Sequence, residues 1–231
     1  MRANVGKEVV EMKKPITNLR VYDLEESLVC SGYAMIDEYN ANQSSTQANS
    51  MVLDNLSDNK HYKRALKLTK APLNSGHPNF LTGILVSMDV TFTNKVFVEW
   101  QRYHFQQIVT SQSTMHKLSK FNLDDAFIEY VDAHIIIHLK ALQKEYNNNP
   151  TKENYLRLLY SCPSGLKLTA RITTNYLQLM TMYKQRVNHR LPEWQLFTDQ
   201  LVEELPLFYE FLEINGTLDK RHIKKQLKEE E

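Results

Sequence analysis

The sequence predicts a helix-rich α/β fold, a single domain with a small mixed sheet. Two patterns lead to this prediction. Most of the chain repeats its apolar residues at the spacing of amphipathic helices, whereas residues 84–92 alternate apolar and polar side chains as a strand does. Of the 231 residues, 42% are hydrophobic and 24% are charged, which is the balance of a globular protein that buries a substantial core.

Seven segments have apolar residues at helical spacing. They are residues 22–39, 61–73, 95–108, 124–146, 151–160, 169–188 and 192–212. Pro72 marks the end of the second segment, because proline has no backbone N–H to donate to a helix. Thr151 is placed to cap the fifth segment with its hydroxyl group. Helices therefore account for most of the chain.

Strands are predicted in three places. The longest covers residues 84–92, where Ile84 and Val86 begin the apolar series, and shorter strands are expected near residues 18–22 and 108–111. We divide the chain by these elements. The division gives an N-terminal extension (residues 1–17), one folded domain (residues 18–214) with a polar surface loop inside it (residues 40–50), and a charged C-terminal tail (residues 215–231).

The composition excludes several classes of function. The formal net charge of +1 argues against a protein whose main task is to grip a nucleic-acid backbone. The chain has six glycines, and none of them forms a P-loop or a GxGxxG motif. Neither a signal peptide nor an apolar run of about 20 residues is visible. We therefore expect a cytoplasmic protein with a small-molecule or protein partner.

The cysteines and one histidine pair bear on metal binding. Cys30 and Cys162 are far apart and belong to no CxxC motif, so neither a zinc ribbon nor a disulfide scaffold is indicated. His134 and His138 stand one helical turn apart, which is a spacing that two metal ligands can have. No third ligand is evident. We interpret them as ordinary histidines on a helix face and predict no metal.

The densest group of hydrogen-bonding side chains lies at residues 100–116, WQRYHFQQIVTSQSTMH. Buried polar groups need partners, and a polar ligand is one way to supply them. The hydroxyl groups of Ser111, Ser113 and Thr114 suit a phosphate or a ribose. A polar helix end followed by a Ser/Thr turn explains the same composition, and both interpretations stay open.

A second polar set lies on the sixth predicted helix. Arg171, Asn175 and Gln178 are spaced to share a face, and Gln185 and Arg186 follow them. Arginine suits bidentate recognition of anions. The alternative is a solvated stripe on a helix that is otherwise buried.

The order of these segments resembles that of the flavin-dependent thymidylate synthases. Residues 75–92, SGHPNFLTGILVSMDVTF, are similar to the family's SGHxSxLEHxxFTFxI, and residues 96–101, VFVEWQ, look like the helix before the family's signature. Residues 21–35, VYDLEESLVCSGYAM, are similar to its opening strand and helix. The resemblance extends over roughly residues 18–212.

The family's signature is Arg-His-Arg, seven residues and Ser, and it falls on His104-Phe105-Gln106 and Thr114. The Arg that follows the signature falls on His116. The resemblance thus keeps the spacing, whereas the residue types at the active positions differ.

A second register places Arg102-Tyr103-His104 on Arg-His-Arg and Ser113 on the Ser. It breaks the seven-residue spacing by one, so we prefer the first register.

The resemblance implies a homotetramer with active sites at subunit interfaces, which binds FAD and deoxyuridine monophosphate (dUMP). Methylenetetrahydrofolate supplies the carbon in this family, and NADPH reduces the flavin. The residues assigned to the flavin are His77, His104, Phe105, Gln106 and Asn175. With the polar sets described above, the residues assigned to the substrate are Gln101, Arg102, Ser111, Ser113, Thr114, His116, Arg171 and Arg186.

Three functions remain open at this stage. The first is an enzyme that methylates dUMP or modifies the C5 position of a related pyrimidine deoxynucleotide, and thus serves dTMP biosynthesis. The second is a catalytically inactive homologue that binds a nucleotide for regulation or sequestration. The third is a structural oligomer without a ligand, which the density of polar residues disfavours.

Overall fold

The computed structural model describes residues 13–36 and 59–223. The predicted loop at residues 40–50 and the end of the predicted tail, from residue 224, lie outside the described residues.

The centre of the molecule is a four-stranded sheet in the order β1-β2-β4-β3. The strands are Ile16–Tyr22 (β1), Leu85–Thr93 (β2), Gln106–Ser111 (β3) and Lys167–Asn175 (β4). All three predicted strands are confirmed. The sheet is not mixed, because every pairing between the described strands is antiparallel. The chain enters β4 beside the residue where β2 ends, since Thr93 pairs with Lys167.

Nine α-helices whose bounds lie within the described residues surround or extend the sheet, and residues 220–223 are helical as well. They are Leu24–Cys30 (α1), Lys60–Thr69 (α2), Asn94–Trp100 (α3), Thr114–Lys117 (α4), Ala133–Asn148 (α5), Lys152–Tyr160 (α6), Tyr176–Arg186 (α7), Pro192–Glu204 (α8) and Phe208–Asn215 (α9). Three short 3-10 helices span Tyr33–Met35, His77–Thr82 and Leu118–Lys120. The helix-rich α/β prediction is confirmed.

The predicted helix at residues 169–188 is wrong in its first part, which is strand β4. Ala170, Ile172 and Thr174 are buried and alternate with half-buried neighbours, which is the period of a strand. The helix begins only after Asn175, whose side-chain oxygen accepts a hydrogen bond from the Gln178 N–H at 2.9 Å. Arg171 is therefore on a strand and does not share a helix face with Gln178.

Two further helix predictions are wrong at one end. The helix predicted at residues 95–108 ends at Trp100, because the chain turns at Tyr103 and enters β3. The helix predicted at residues 124–146 begins at Ala133, where the Asp132 carboxylate accepts from the His134 N–H at 2.8 Å. That capping bond fixes the start of α5 well after the predicted position.

Three other predictions need shortening or division. The helix predicted at residues 192–212 is two helices, since Pro206 lies between α8 and α9 and Leu207 has a φ of 60°. The helix predicted at residues 61–73 ends at Thr69, and in the one predicted at residues 22–39 only Leu24–Cys30 is α-helical among the described residues.

The main core lies between one face of the sheet and helices α3, α7, α8 and α9. The indole rings of Trp100 and Trp194 stack with their centroids 5.6 Å apart, and Phe92 and Phe197 pack around them. A second core belongs to the segment between β3 and β4. Its buried residues are Leu118, Leu123, Phe127, Leu139, Leu142, Leu158 and Leu166, and we call this segment, residues 112–166, the lobe.

Candidate functional site

A cleft of about 1550 Å³ opens beside helix α7. Four parts of the chain form its walls. They are α7 with the residues just before and after it, the turn at residues 103–105, the segment from the end of α2 through the 3-10 helix His77–Thr82, and residues 215–220 after α9. The cleft is therefore built from segments that are far apart in the sequence.

Phe105 presents an aromatic ring to this cleft from a fixed backbone. Its N–H donates to the Gln178 side-chain oxygen at 3.3 Å, and its carbonyl accepts from the Thr174 hydroxyl at 2.9 Å. The side chain itself is 74% exposed. An exposed ring on a backbone held at both polar groups is a suitable surface for a planar ring to stack on.

The charges that line the cleft favour an anion. Lys70, Lys184 and Lys220 are exposed, and none of them forms an ion pair with an acid of the described residues. Among the described residues of the lining the one carboxylate is Asp219, which accepts from the Arg221 backbone N–H and from the Asn188 amide. These hydrogen bonds, the backbone one first, lower the pKa of Asp219 and keep it charged.

Residues after α9 form one wall because His222 anchors them. His222 is buried, and its ring nitrogens lie 2.7 Å from the Tyr183 hydroxyl and 2.9 Å from the Asp199 carboxylate. The Tyr183 hydroxyl also accepts from the Asp219 N–H at 3.1 Å. Burial raises the pKa of Tyr183 to about 12, so the phenol stays neutral. Part of the segment predicted as a charged tail therefore belongs to the cleft.

Arg186 lies behind the cleft wall in a partly buried ion pair. Its guanidinium donates to Glu99 at 3.2 Å and to the Tyr103 hydroxyl at 2.8 Å, and it sits over the Trp194 ring. Glu99 also accepts from the Trp194 indole N–H at 3.0 Å. Burial raises the pKa of Tyr103, although Arg186 opposes this. The charge of Arg186 is thus matched inside the protein.

Arg171 lies on the face of the sheet opposite the main core. It donates to the Asp89 carboxylate at 3.2 Å and to the Asn18 carbonyl at 3.0 Å. The Asn18 side chain hydrogen-bonds to the same carboxylate. These bonds, with that of Asn18 the larger cause, lower the pKa of Asp89. Arg171 and the cleft are therefore on different sides of the molecule's sheet.

Three residues assigned to the flavin, His104, Phe105 and Asn175, line the cleft together. Gln106 follows them as the first residue of β3 and donates to the Tyr103 carbonyl at 3.2 Å. His77 is exposed at the start of a 3-10 helix whose later residues contribute to the cleft.

The residues assigned to the substrate are dispersed. Gln101 and Arg102 are exposed in the turn after α3. Ser111 ends β3 and is about 17 Å along the strand from Gln106, where β3 begins. Three other residues assigned to the substrate follow Ser111 into the lobe. Those three are Ser113, Thr114 and His116. Within one chain this group and the cleft lie at opposite ends of β3.

Sequence reasoning missed several residues of the cleft. Lys70, Asn188 and Asn215 carry no linear motif, because only the fold brings them together. One signal was present at the C-terminal segment. There Leu218 and His222 stand among charged residues at the spacing of a helix turn, as expected of a segment that packs against the body.

Residues 13–36 and 59–223 contain neither a cluster of metal ligands nor a helix that could span a membrane. No group of three or more histidines, cysteines or acids there is arranged to hold a metal ion. No helix within these ranges has both the length and the apolar character needed to span a membrane.

The fold is similar to that of solved structures of flavin-dependent thymidylate synthases and of a UMP/dUMP methylase. The flavin-dependent thymidylate synthase ThyX from Helicobacter pylori, solved with FAD and dUMP, superposes with a TM-score of 0.60 at 15% identity. The similarity covers 88% of this chain and 99% of that one. A UMP/dUMP methylase, PolB from Streptomyces cacaoi, solved with 5-Br dUMP, gives 0.56 at 12% identity, with 90% and 99% covered. Neither a protein-family model nor the sequence of a curated protein matches the chain.

Proposed function

We propose that this chain is a flavin-dependent thymidylate synthase-like enzyme that acts on a pyrimidine deoxynucleotide, by methylation of dUMP or a related modification at C5. The observation that carries the proposal is Phe105, held at its N–H and carbonyl and exposed in the cleft beside His104 and Asn175. The resemblance had assigned these three residues to the flavin. The solved structures with the same fold contain dUMP or its 5-bromo analogue.

The residues of the cleft fit a flavin and a nucleotide together. Its volume of about 1550 Å³ exceeds the roughly 300–1,000 Å³ of a pocket for one drug-sized ligand. Phe105 offers a stacking surface, and Lys70, Lys184 and Lys220 offer charge for phosphate groups. A bound FAD would supply the hydride chemistry, with NADPH as reductant and methylenetetrahydrofolate as carbon donor, as the resemblance implies.

In this proposal the chain's own residues bind and orient the flavin and the nucleotide. Phe105 fixes the plane of a ring, and the lysines neutralise phosphate charge. Tyr103 and Gln185, joined by a 3.0 Å hydrogen bond, form a polar part of the wall. Arg186 stabilises the wall from behind through its bond to Tyr103.

Visible absorbance tests the flavin part directly. We expect the purified protein to be yellow, or to take up added FAD with a flavin spectrum. Replacing Phe105 with Ala should weaken binding about tenfold, because the stacking surface is lost. Tyr160→Ala is the matched control, since Tyr160 is equally exposed but lies outside the cleft on α6. A colourless protein that takes up no FAD would contradict the flavin part.

Thermal unfolding tests the nucleotide part. Deoxyuridine monophosphate at 100 times its dissociation constant stabilises a protein by about 2.7 kcal/mol, which corresponds to roughly 5–10 °C for a chain of this size. Deoxythymidine and deoxycytidine monophosphates serve as comparisons. The absence of a shift with all three nucleotides would leave no support for the proposed function.

We also propose that the site lies between copies of the chain in a homotetramer. The group that follows Ser111 then completes the cleft of another copy, since Ser111 is already about 17 Å along β3 from Gln106, the first residue of the strand. His116→Ala should weaken nucleotide binding more than His138→Ala, because His138 is exposed on α5 and has no assigned role. Equal effects would remove the second group from the site.

A binding protein without catalysis is the second candidate. It is favoured by the ion pair of Arg186 with Glu99 and by the cleft lining, in which the described residues include no arginine. A chain that is stabilised by dUMP but takes up no flavin would have this function.

A further inference from the structure

The orientation of the Gln178 amide is fixed by its neighbour. Its side-chain oxygen accepts from the Phe105 backbone N–H at 3.3 Å, and a backbone N–H can only donate. The NH₂ end of Gln178 therefore points away from Phe105, and it has no partner among the described residues. Gln178 is only 7% exposed and lines the cleft. A nearly buried amide thus offers unused donors to whatever the cleft holds.

Asn175 is oriented in the same sense. Its oxygen accepts from the Gln178 backbone N–H at 2.9 Å, which again leaves its NH₂ group toward the cleft without a partner in the described residues. The two residues are three apart at the start of α7, about 4.5 Å along the axis. The positive end of the helix dipole lies at the same place. The two amides at this end of the cleft therefore present only donors.

The opposite end of α7 adds two free acceptors beside Lys184 and Lys220. The Asn188 amide donates to Asp219 at 2.9 Å, and the Asn215 amide donates to the Thr69 and Ala71 carbonyls. Each of these asparagines leaves its oxygen free of any partner in the described part of the chain. A ligand that fits the cleft carries acceptors at one end and hydroxyl donors, such as those of a sugar, toward the other.

We propose that Gln178, with Asn175 beside it, binds the carbonyl edge of a pyrimidine-2,4-dione ring that stacks on Phe105. This inference rests on the proposed function and names the chemical group that the site selects. Uracil has a carbonyl at C4, where cytosine has an amino group that donates. The amide donors cannot reorient. They can therefore hydrogen-bond to the C4 carbonyl of uracil, whereas the amino group of cytosine is left without a partner, so the site favours uracil.

A phosphate at Gln178 is a poorer match. Gln178 is neutral and nearly buried, and a phosphate there needs compensating charge. The lysine on the same helix, Lys184, is six residues further, about 9 Å along the axis. The position of Gln178 therefore suits a neutral carbonyl group, on a ring that stacks on Phe105.

The dione ring has two possible sources, the uracil of a nucleotide and the isoalloxazine of a flavin. The test is Gln178→Glu, which keeps an oxygen for the Phe105 N–H and replaces the free NH₂ group by an acceptor. Affinities are measured for dUMP, dCMP, lumiflavin and deoxyribose 5-phosphate. We expect the preference for dUMP over dCMP to fall about tenfold if uracil is the source. Lumiflavin binding falls about tenfold, with the nucleotide preference unchanged, if the flavin is the source.

Two variants control for the added charge and for folding. Gln185→Glu makes the same change seven residues further along α7, about 10 Å away, and keeps the oxygen that accepts from Tyr103. It should change dUMP and dCMP affinities by the same factor. Asn59→Asp makes the corresponding amide-to-acid change away from the cleft and from the group after Ser111, where the side-chain oxygen accepts from the His61 N–H at 2.8 Å, and should change neither.

The remaining outcomes overturn the inference. Equal weakening of dUMP, dCMP and deoxyribose 5-phosphate by Gln178→Glu would assign the amide to phosphate. Unchanged binding of every ligand that the wild type binds would remove Gln178 from recognition and leave the proposed function intact. A wild type that binds neither nucleotides nor lumiflavin would overturn the proposed function and this inference with it.

Discussion

The carboxylate of Glu99 joins three helices at a single oxygen. It accepts from Arg186 on α7 and from the Trp194 indole on α8, while it belongs itself to α3. His189 also lies 3.4 Å away. Because Arg186 in turn donates to Tyr103, the carboxylate indirectly fixes a side chain in the cleft wall. One partly buried acid thus contributes both to stability and to the shape of the site.

Replacing Glu99 with Gln should destabilise the protein by about 2–4 kcal/mol. The change leaves the guanidinium of Arg186 largely buried without a counter-charge. The stability lost in this way is larger than the stability that an exposed ion pair contributes. Glu145→Gln is the matched control, because the Glu145–Arg157 pair is about half exposed and should contribute less than 1 kcal/mol. Urea unfolding measures both. Equal losses in the two variants would show that the Glu99 pair is not a buried one in energetic terms.

His61 makes stability depend on pH below neutrality. Its Nδ1 lies 2.9 Å from the Arg64 guanidinium, which always donates, so the folded state needs the neutral ring. Burial first, then the charges of Arg64 and Lys60, lower the pKa of His61 from 6.5. Stabilisation is therefore complete above about pH 6.5 and is lost as the pH falls toward the lower folded-state pKa.

The measurement is the unfolding free energy of wild type minus that of His61→Gln between pH 5 and 8. Glutamine keeps an acceptor for Arg64 but does not titrate, so the difference should be flat above about pH 6.5 and fall below it. His138→Gln, at an exposed position, should follow the wild-type profile. A flat difference over the whole range would refute the role of His61.

At the scale of secondary-structure elements, helix caps decide where the chain changes direction. The Thr151 hydroxyl accepts from the Asn154 N–H at 3.2 Å at the start of α6. Ser113 occupies the same position before α4 but makes no capping bond. Thr151→Ala should therefore cost about 1 kcal/mol and Ser113→Ala close to nothing. Chemical denaturation separates the two, and a larger loss for Ser113→Ala would reverse the assignment.

The same elements show what sequence alone can predict. Strand β2 was predictable because one of its faces is fully apolar, and the Thr151 cap because its side chain acts locally. Strand β4 was mistaken for helix because its buried side chains, Ala170 and Thr174 among them, are small or polar and give a weak alternation. The break between α8 and α9 had a signal in Pro206, which has no N–H to continue a helix.

The candidate site was predictable only where a motif has a linear order. His104, Phe105 and Asn175 followed from such an order, and they meet in the cleft. Lys70 and Asn215 did not, because the contact between α2 and α9 that brings them together is tertiary. The free NH₂ groups of Gln178 and Asn175 were identified from the hydrogen bonds that their oxygens accept. Composition does not reveal these bonds.

At the scale of the whole molecule, the residues that the structure describes form two separate hydrophobic cores. One holds the sheet, the helices of the body and the cleft, and the other lies within the lobe. The lobe joins the body through β3 and β4, and through the backbone N–H groups of Asn94 and Lys95, which donate to the Leu166 and Ser164 carbonyls at 3.0 Å. Because the part of the cleft within one chain is lined by residues of the body alone, we expect the lobe to loosen without loss of that part of the cleft.

Hydrogen exchange on matched leucine variants tests this independence. Leu158 in the lobe and Leu179 in the body are both fully buried, so each change to Ala costs about 2–5 kcal/mol. We expect Leu158→Ala to speed exchange in α5 and α6 while β2 and α7 keep their protection, since the cavity affects only the lobe core. Leu179→Ala should lower protection in the body instead. If Leu158→Ala exposed β2 as strongly as α6, the two cores would form one cooperative unit, and a change in the lobe would reach the cleft.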